Sequence, residues 1–215
     1  MKLYSYFRSS ASYRVRIALN LKQLPYDYVP VHLVRDGGEH LKSEYRAVNP
    51  EAIVPTLVDD ENHTIHQSLA IIEYLEETQP EPPLLPKTAA DRAYVRSLAL
   101  QIACEIHPVN NLRVLKYLKR TVGVDDEVKD AWYRHWIETG FETLEQRLAN
   151  DPRTGKLSFG DTPTIADLCL VPQVFNANRF KIDTTRYATI QRINDYALTL
   201  DAFARAEPGA QPDAE

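Results

Sequence analysis

Arg8-Ser9-Ser10-Ala11-Ser12-Tyr13-Arg14 stands where the chain changes its hydrophobic period. Before it, residues 2–7 alternate apolar or aromatic side chains with polar ones, which predicts a short strand. After it, Ala11, Val15, Ala18 and Leu19 fall at helical spacing, with Arg14, Arg16 and Lys22 on other faces, which predicts a helix over 10–22. Residues 26–33 then read as a second strand, rich in aromatic and β-branched residues. Strand, helix and strand within about thirty residues predict a βαβ unit with parallel outer strands. The quoted segment therefore lies at the carboxyl end of a strand and the amino end of a helix. Ligands bind at such strand ends in open α/β folds, and a helix start offers unpaired amides and partial positive charge. Two hydroxyls and an arginine there suit an anion. The plainer alternative is that Ser9 or Ser10 is an N-cap and nothing more.

Downstream, Asp36-Gly37-Gly38 marks a turn and residues 39–47 a short helix. Residues 54–58 and 63–66 flank a polar stretch and predict an antiparallel hairpin, entered through Val54-Pro55. From Ser68 the period is helical again, with Leu69, Ile72 and Leu75 in phase. A hairpin entered through X-Pro and followed by a hydroxyl-capped helix is the second half of a thioredoxin-like domain. Pro55 is then a candidate cis-proline that frees the Val54 backbone to pair with an extended peptide ligand; an ordinary trans edge proline is the alternative. Residues 79–86 hold four prolines and cannot be helical. Beyond Lys87 the pattern is helical: a long stretch over 92–121 interrupted by Pro108, a second over 127–150, a buried helix after the capping-box-like Thr164-Ile165-Ala166-Asp167, and a segment over 187–205. The tail from Glu207 reads as loose. The expected architecture is an α/β thioredoxin-like domain over 1–80, a proline-rich linker over 81–87 and an all-α domain over 88–215.

The 215 residues are 44% hydrophobic and 26% charged, with 7 Gly, which excludes a disordered or collagen-like chain. A net charge of -5 gives no basic footprint for nucleic acid. No apolar run approaches the ~18 residues of a membrane span, and the start of the chain has no signal-peptide apolar core. Two cysteines, Cys104 and Cys169, make neither a disulfide framework nor a zinc pattern, and the six histidines have no metal spacing. The expected compartment is the reduced cytoplasm, and no metal is expected. Both cysteines fall among apolar neighbours on predicted helices and read as buried, inert thiols.

Nearly the whole chain resembles the zeta class of glutathione transferases, the class of the maleylacetoacetate and maleylpyruvate isomerases. The residues that carry the resemblance are Ser9 to Leu19, Asn49-Pro50, Val54-Pro55-Thr56-Leu57, Ile65 to Glu77 and Ala166 to Gln173. The first and fourth of these are specific to the class; the Val54-Pro55 and Ala166-Asp167 elements are shared more widely. The resemblance implies the glutathione transferase fold, glutathione as cofactor, a homodimer, and cis–trans isomerisation of a maleyl diacid in aromatic catabolism. It implies that Ser9 points at the glutathione sulfur, with Ser10, Ala11 and Arg14 at the same helix start. It further implies that Val54 pairs with the cysteinyl backbone, that Gln67 and Ser68 hold the γ-glutamyl end, and that His40, His107, Asn111, Leu112 and Arg113 line the glutathione cleft. Arg8 and Arg179 match arginines that clamp substrate carboxylates, Arg8 also standing beside the reacting sulfur. On its own, Arg179 reads as a solvated helix-end charge, and Arg16 as a member of a surface or interdomain ion pair.

The chain departs from the class pattern at Ala11, where the class usually has Cys, at Tyr13, often Trp, and at His40 and His107, often Gln. Ala11 removes the thiol that a reductive dehalogenase needs and leaves isomerisation untouched; the two histidines read equally as structural. The alternatives are a broad conjugating transferase or peroxidase acting on small electrophiles such as α-halo acids, and a non-catalytic binding protein of the same fold.

Overall fold

A computed structural model describes residues 1–215. The chain divides into two compact units, Met1–Leu84 with Leu198–Glu215, and Leu85–Ala197.

In the first unit, β1 (Lys2–Ser5) leads through the Arg8–Ser9 turn into α1 (Ser10–Leu21), which returns as β2 (Asp27–Pro30). Short helical turns at Arg35–Gly37 and Glu39–Leu41 and α2 (Ser43–Val48) follow, then β3 (Thr56–Val58), β4 (Thr64–His66) and α3 (Ser68–Thr78). The sheet order is β2-β1-β3-β4, with β1 parallel to β2 and antiparallel to β3, and β3 antiparallel to β4. This is the βαβ unit and the hairpin that the change of period predicts, joined as a thioredoxin-like sheet. Leu3 lies directly opposite Leu57, so the two share one face, where both are fully buried along with Val15, Ile17, Leu19, Ile71, Ile72 and Leu75 of α1 and α3. Burying each such side chain contributes roughly 1.5–3 kcal/mol. Tyr4 and Thr56 point to the other face; there the Tyr4 and Tyr45 rings are 5.8 Å apart, beside a cluster of Tyr6, Phe7, Val31 and Val54.

Two basic residues that helical phase assigns to polar faces of α1 are buried instead. Lys22 donates from Nζ to Glu76 at 2.9 Å and to the carbonyls of Gln79 and Pro82 at 2.6 and 3.0 Å. Glu76 in turn accepts the Leu84 amide, so the first part of the proline-rich stretch is fastened to this unit. Arg16, fully buried, donates to the carbonyls of Phe7, Tyr6 and Ala206 and to Ser5 Oγ. Its partners are three backbone oxygens and a serine hydroxyl of its own unit, not the carboxylate that an ion-pair role required.

Residues 198–215, which the sequence places with the helical domain, group with the first unit, and the segment from Glu207 is not loose. Asn20 of α1 donates to the Ala202 carbonyl at 3.0 Å in α9 (Asp201–Ala204). Ala206, Pro208 and Gln211 are buried.

The second unit is helical. α4 (Ala89–Leu100) runs into a π-turn over Gln101–Ile106; a short turn over Pro108–Asn110, α5 (Leu112–Tyr117) and a second π-turn over Leu118–Val122 follow. The stretch read as one helix interrupted at Pro108 is thus broken in several places. α6 (Asp126–Asn150), α7 (Ile165–Arg179) and α8 (Ala188–Leu198) complete the unit. α7 is buried almost throughout, and the start read as a capping box is one: the buried Asp167 carboxylate accepts the Thr164 amide at 2.8 Å, the Thr164 hydroxyl at 3.0 Å and the Ser158 amide at 2.8 Å. No helix is long and apolar enough to cross a membrane.

Candidate active site

The site in the first unit is built on two helix starts. Ser9 is the N-cap of α1, in extended conformation, and its Oγ accepts the Ser12 amide at 3.2 Å. The capping reading is therefore correct, and it does not compete with a role toward an anion. A hydroxyl that accepts through a lone pair still has its own proton to donate. The cap holds that hydroxyl at the helix mouth, beside first-turn amides that have no intrahelical acceptor. α1 has no acidic residue in its first turn to cancel the positive end of its dipole. Ser10 and Ala11 are the first two helical residues, with Ser10 buried.

One turn on, Arg14 joins this helix start to that of α3. The arginine is buried, and its Nη1 donates to Ser68 Oγ at 3.3 Å. Its Nε and Nη2 have no hydrogen-bond partner in the chain. Buried donors are rarely left unmatched, so a buried cation with two idle nitrogens beside a hydroxyl fits an acceptor-rich anionic ligand. Gln67, just before Ser68, has φ +68°, an uncommon conformation for a side chain with a Cβ; its amide donates to Glu51 at 2.8 Å.

The loop before β3 is braced from below. Asn49, fully buried, donates to the Ile53 carbonyl at 2.9 Å and to Thr56 Oγ1 at 3.1 Å, and the Tyr45 hydroxyl donates to the same carbonyl at 2.6 Å. The Val54–Pro55 peptide is cis. Pairing of β3 with β1 begins at Thr56, which leaves Val54 beyond the ladder. His40 sits in the one-turn helix Glu39–Leu41, against Gly38. At φ +111°, a Cβ on Gly38 would come 2.4 Å from His40 Cε1, so glycine is needed there.

Arg8 precedes the cap. Its Nε and Nη2 both donate to the Tyr6 hydroxyl, at 3.1 and 2.8 Å, and its guanidinium lies 5.1 Å from the Phe7 ring centroid. Two of five donors are used, on a neutral acceptor, so charge and donors remain for a carboxylate. Beneath the site, burial raises the Tyr13 phenol well above its ordinary pKa, helped by Glu207 and opposed by Arg16. Burial acts against the charge on Arg16, opposed by Tyr28 and Tyr26.

In the second unit, Asn111 caps α5, its side chain accepting the Arg113 amide at 3.1 Å, and Arg113 is exposed. His107 stands between the π-turn and Pro108, and Leu112 is half-buried. Arg179 is exposed in the last turn of α7, 5.7 Å from the Phe180 ring, which stacks on Tyr133 at 3.6 Å. A cation at a helix carboxyl end is favourable in its own right.

A sequence model described as glutathione S-transferase, N-terminal domain, matches residues 3–83. A probable maleylacetoacetate isomerase of Vibrio cholerae is 52% identical over 212 residues, covering 99% of this chain and 97% of that protein. The solved structure of a maleylpyruvate isomerase, described as a bacterial glutathione S-transferase in the zeta class, has a TM-score of 0.96 at 51% identity over 100% of both chains. This chain belongs to the zeta class of glutathione transferases. A further solved structure, a maleylacetoacetate isomerase of Methylobacterium extorquens AM1 with bound malonate and glutathione, has a TM-score of 0.96 at 43% identity over 100% of both chains.

Set within the zeta class, the sequence reading missed some structure around the site. It gave Arg16 an ion pair, where the structure buries the guanidinium against the carbonyls of Tyr6, Phe7 and Ala206. The Tyr6 brace on Arg8 was not foreseen. Cys169 is buried as expected, but Cys104 is exposed. It lies in the π-turn over 101–106, where one extra residue per turn rotates the outward face onto Cys104 and Glu105.

Proposed function

We propose that this zeta-class protein is a glutathione-dependent cis–trans isomerase of a maleyl dicarboxylate, maleylacetoacetate or maleylpyruvate. The observation that carries the reading is the Ser9 hydroxyl at the mouth of α1, fixed by its cap and left with a proton to donate. Glutathione, when bound, supplies a thiolate that adds to the conjugated alkene, permits rotation about the resulting single bond, and leaves.

The residues of the chain hold that sulfur anionic. A free thiol has a pKa of ~8.5, and lowering it by about two units needs ~2.7 kcal/mol of preference for the anion. A helix start supplies ~0.3–1 kcal/mol, up to ~2 when partly buried, and a hydrogen bond to a charged group adds ~1.5–3. The dipole alone falls short; the dipole with the Ser9 hydroxyl suffices. Arg14, with Ser68 and Gln67, takes the γ-glutamyl end, Val54 takes the cysteinyl backbone, and Ser10, Ala11 and His40 border the same ligand. The class resemblance adds His107, Asn111, Leu112 and Arg113 as glutathione-binding residues. Arg8 and Arg179 bind the substrate carboxylates, and Arg8 also stabilises the negative charge that develops on the conjugated carbonyl. The class resemblance adds a homodimer. Unpaired cysteines and dependence on a reduced thiol favour the cytoplasm.

Arg8→Ala and Arg179→Ala should each raise KM for the diacid by roughly tenfold or more, the worth of a charge-assisted hydrogen bond. The Kd of glutathione, measured by calorimetry, should stay within about twofold. The reading as a whole is tested by an ultraviolet assay of both maleyl diacids with and without glutathione. Isomerisation only when glutathione is present is the expected outcome. Turnover of an α-chloro acid or a peroxide, with none of either maleyl diacid, would replace the isomerase with a conjugating transferase.

A further inference from the structure

We propose that the segment Ala206–Asp213 is a strap that fixes the turn between β1 and α1, with Asp213 as a positioning residue for Arg8 and Ser9. This rests on the role proposed above for Ser9. The Asp213 carboxylate accepts the Phe7 amide at 3.1 Å through one oxygen and the Tyr28 hydroxyl of β2 at 2.6 Å through the other. The Phe7 carbonyl accepts Arg16 Nη2 at 3.0 Å, so the residue two before Ser9 is held at both its N–H and its C=O. The Tyr6 carbonyl accepts the Ser9 amide at 2.9 Å and Arg16 Nη1 at 3.4 Å. Arg16 Nε closes the ring on the Ala206 carbonyl at 3.0 Å, at the other end of the strap.

The strap has its own brace. Gln211 donates from Nε2 to the carbonyls of Arg205 and Glu207 at 2.9 and 2.8 Å. Its acceptor groups and the turn it grips lie more than 190 residues apart in the chain; Ala206 is fully buried, Phe7 is 5% exposed and Asp213 is half-buried. The Tyr28 phenol stays protonated, raised by burial and by its bond to Asp213, and so remains a donor. With Asp213 removed, the Phe7 amide has no acceptor and the backbone ahead of Ser9 regains freedom. A misplacement of about 1 Å at a reacting group can cost on the order of a hundredfold in rate.

The test compares Asp213→Ala, Asp213→Asn and Tyr28→Phe with wild type and with Ser9→Ala. In the ligand-free protein, exchange of the Phe7 amide should accelerate about tenfold in Asp213→Ala, while the Leu3 and Leu57 amides of the sheet keep their rates. The pKa of the glutathione thiol bound to this variant should rise, and kcat should fall about tenfold. Affinity for S-methylglutathione, which has no thiol to ionise, should change less than about twofold. Asn offers an oxygen to the Phe7 amide and an N–H to the Tyr28 oxygen, so Asp213→Asn should recover most of each effect. Tyr28→Phe should produce a smaller change of the same kind, and it carries the test with Asp213→Asn if the alanine variant does not fold. A rise in thiol pKa for Ser9→Ala but for neither Asp213→Ala nor Tyr28→Phe would overturn the strap. An unchanged thiol pKa in Ser9→Ala would overturn the site assignment beneath it.

Discussion

Ser9→Ala should lower kcat for the maleyl diacid by roughly 10- to 100-fold at neutral pH, because it deletes a hydrogen bond to an anion worth ~1.5–3 kcal/mol at ~1.4 kcal/mol per decade. The loss should not be total, since the α1 amides and dipole remain. The pH profile gives the signature. Without the hydroxyl the thiol titrates higher, so the variant should regain part of its deficit as pH rises through the new value, while wild type is already on its plateau. The same substitution removes the acceptor of the Ser12 amide and should cost about 1 kcal/mol of stability. Ser9→Gly separates the two effects: glycine at an N-cap loses only a few tenths of that stability but lacks the hydroxyl. It should match alanine in kcat and wild type in stability. Equal pH–rate profiles for Ser9→Ala and wild type would remove Ser9 from the chemistry.

Asp167→Ala should destabilise the protein by ~3 kcal/mol or more, measured by denaturant unfolding. The carboxylate accepts three donors inside the second unit, the Ser158 and Thr164 amides and the Thr164 hydroxyl, and each donor left bare in the interior costs ~1–3 kcal/mol. These donors sit at the start of α7, nearly every residue of which is buried, so the helix cannot fray into water to relieve them. Asp167→Asn keeps one acceptor and should lose less. Burial raises the Asp167 pKa, against the hydrogen bonds from Ser158 and Thr164. A folded pKa above the unfolded ~3.9 means the group contributes most below that value and loses its contribution as pH climbs through the folded one. The stability advantage of wild type over Asp167→Asn should therefore shrink with rising pH across that window. A constant difference would contradict the raised value.

Much of this arrangement is local and can be read from the chain. The switch from period two to period 3.6 at Ser9 places β1 against α1. The polar break between Val58 and His63 gives the β3–β4 hairpin, and Thr164 three residues before Asp167 gives the cap of α7. What could not be read depends on distant partners. Helical phase assigns Arg16 and Lys22 to polar faces; they are buried because carbonyls of the β1–α1 turn, the Ala206 region and the proline-rich stretch supply acceptors. The tail, with Pro, Gly and acidic residues, has the composition of a free end. Its attachment rests on single side chains such as Asp213, which meets a backbone amide 206 residues away. The π-turns shift hydrogen bonding by one residue without altering the apolar spacing enough to announce it, which is why Cys104 faces outward.

In the proposed mechanism the protein makes a thiolate of a borrowed thiol at the mouth of α1. Titrating the thiolate absorbance of glutathione bound to the wild-type protein tests it most directly. The expected midpoint lies about two pH units below the ~8.5 of a free thiol. A bound thiol that titrates at its free value would contradict it.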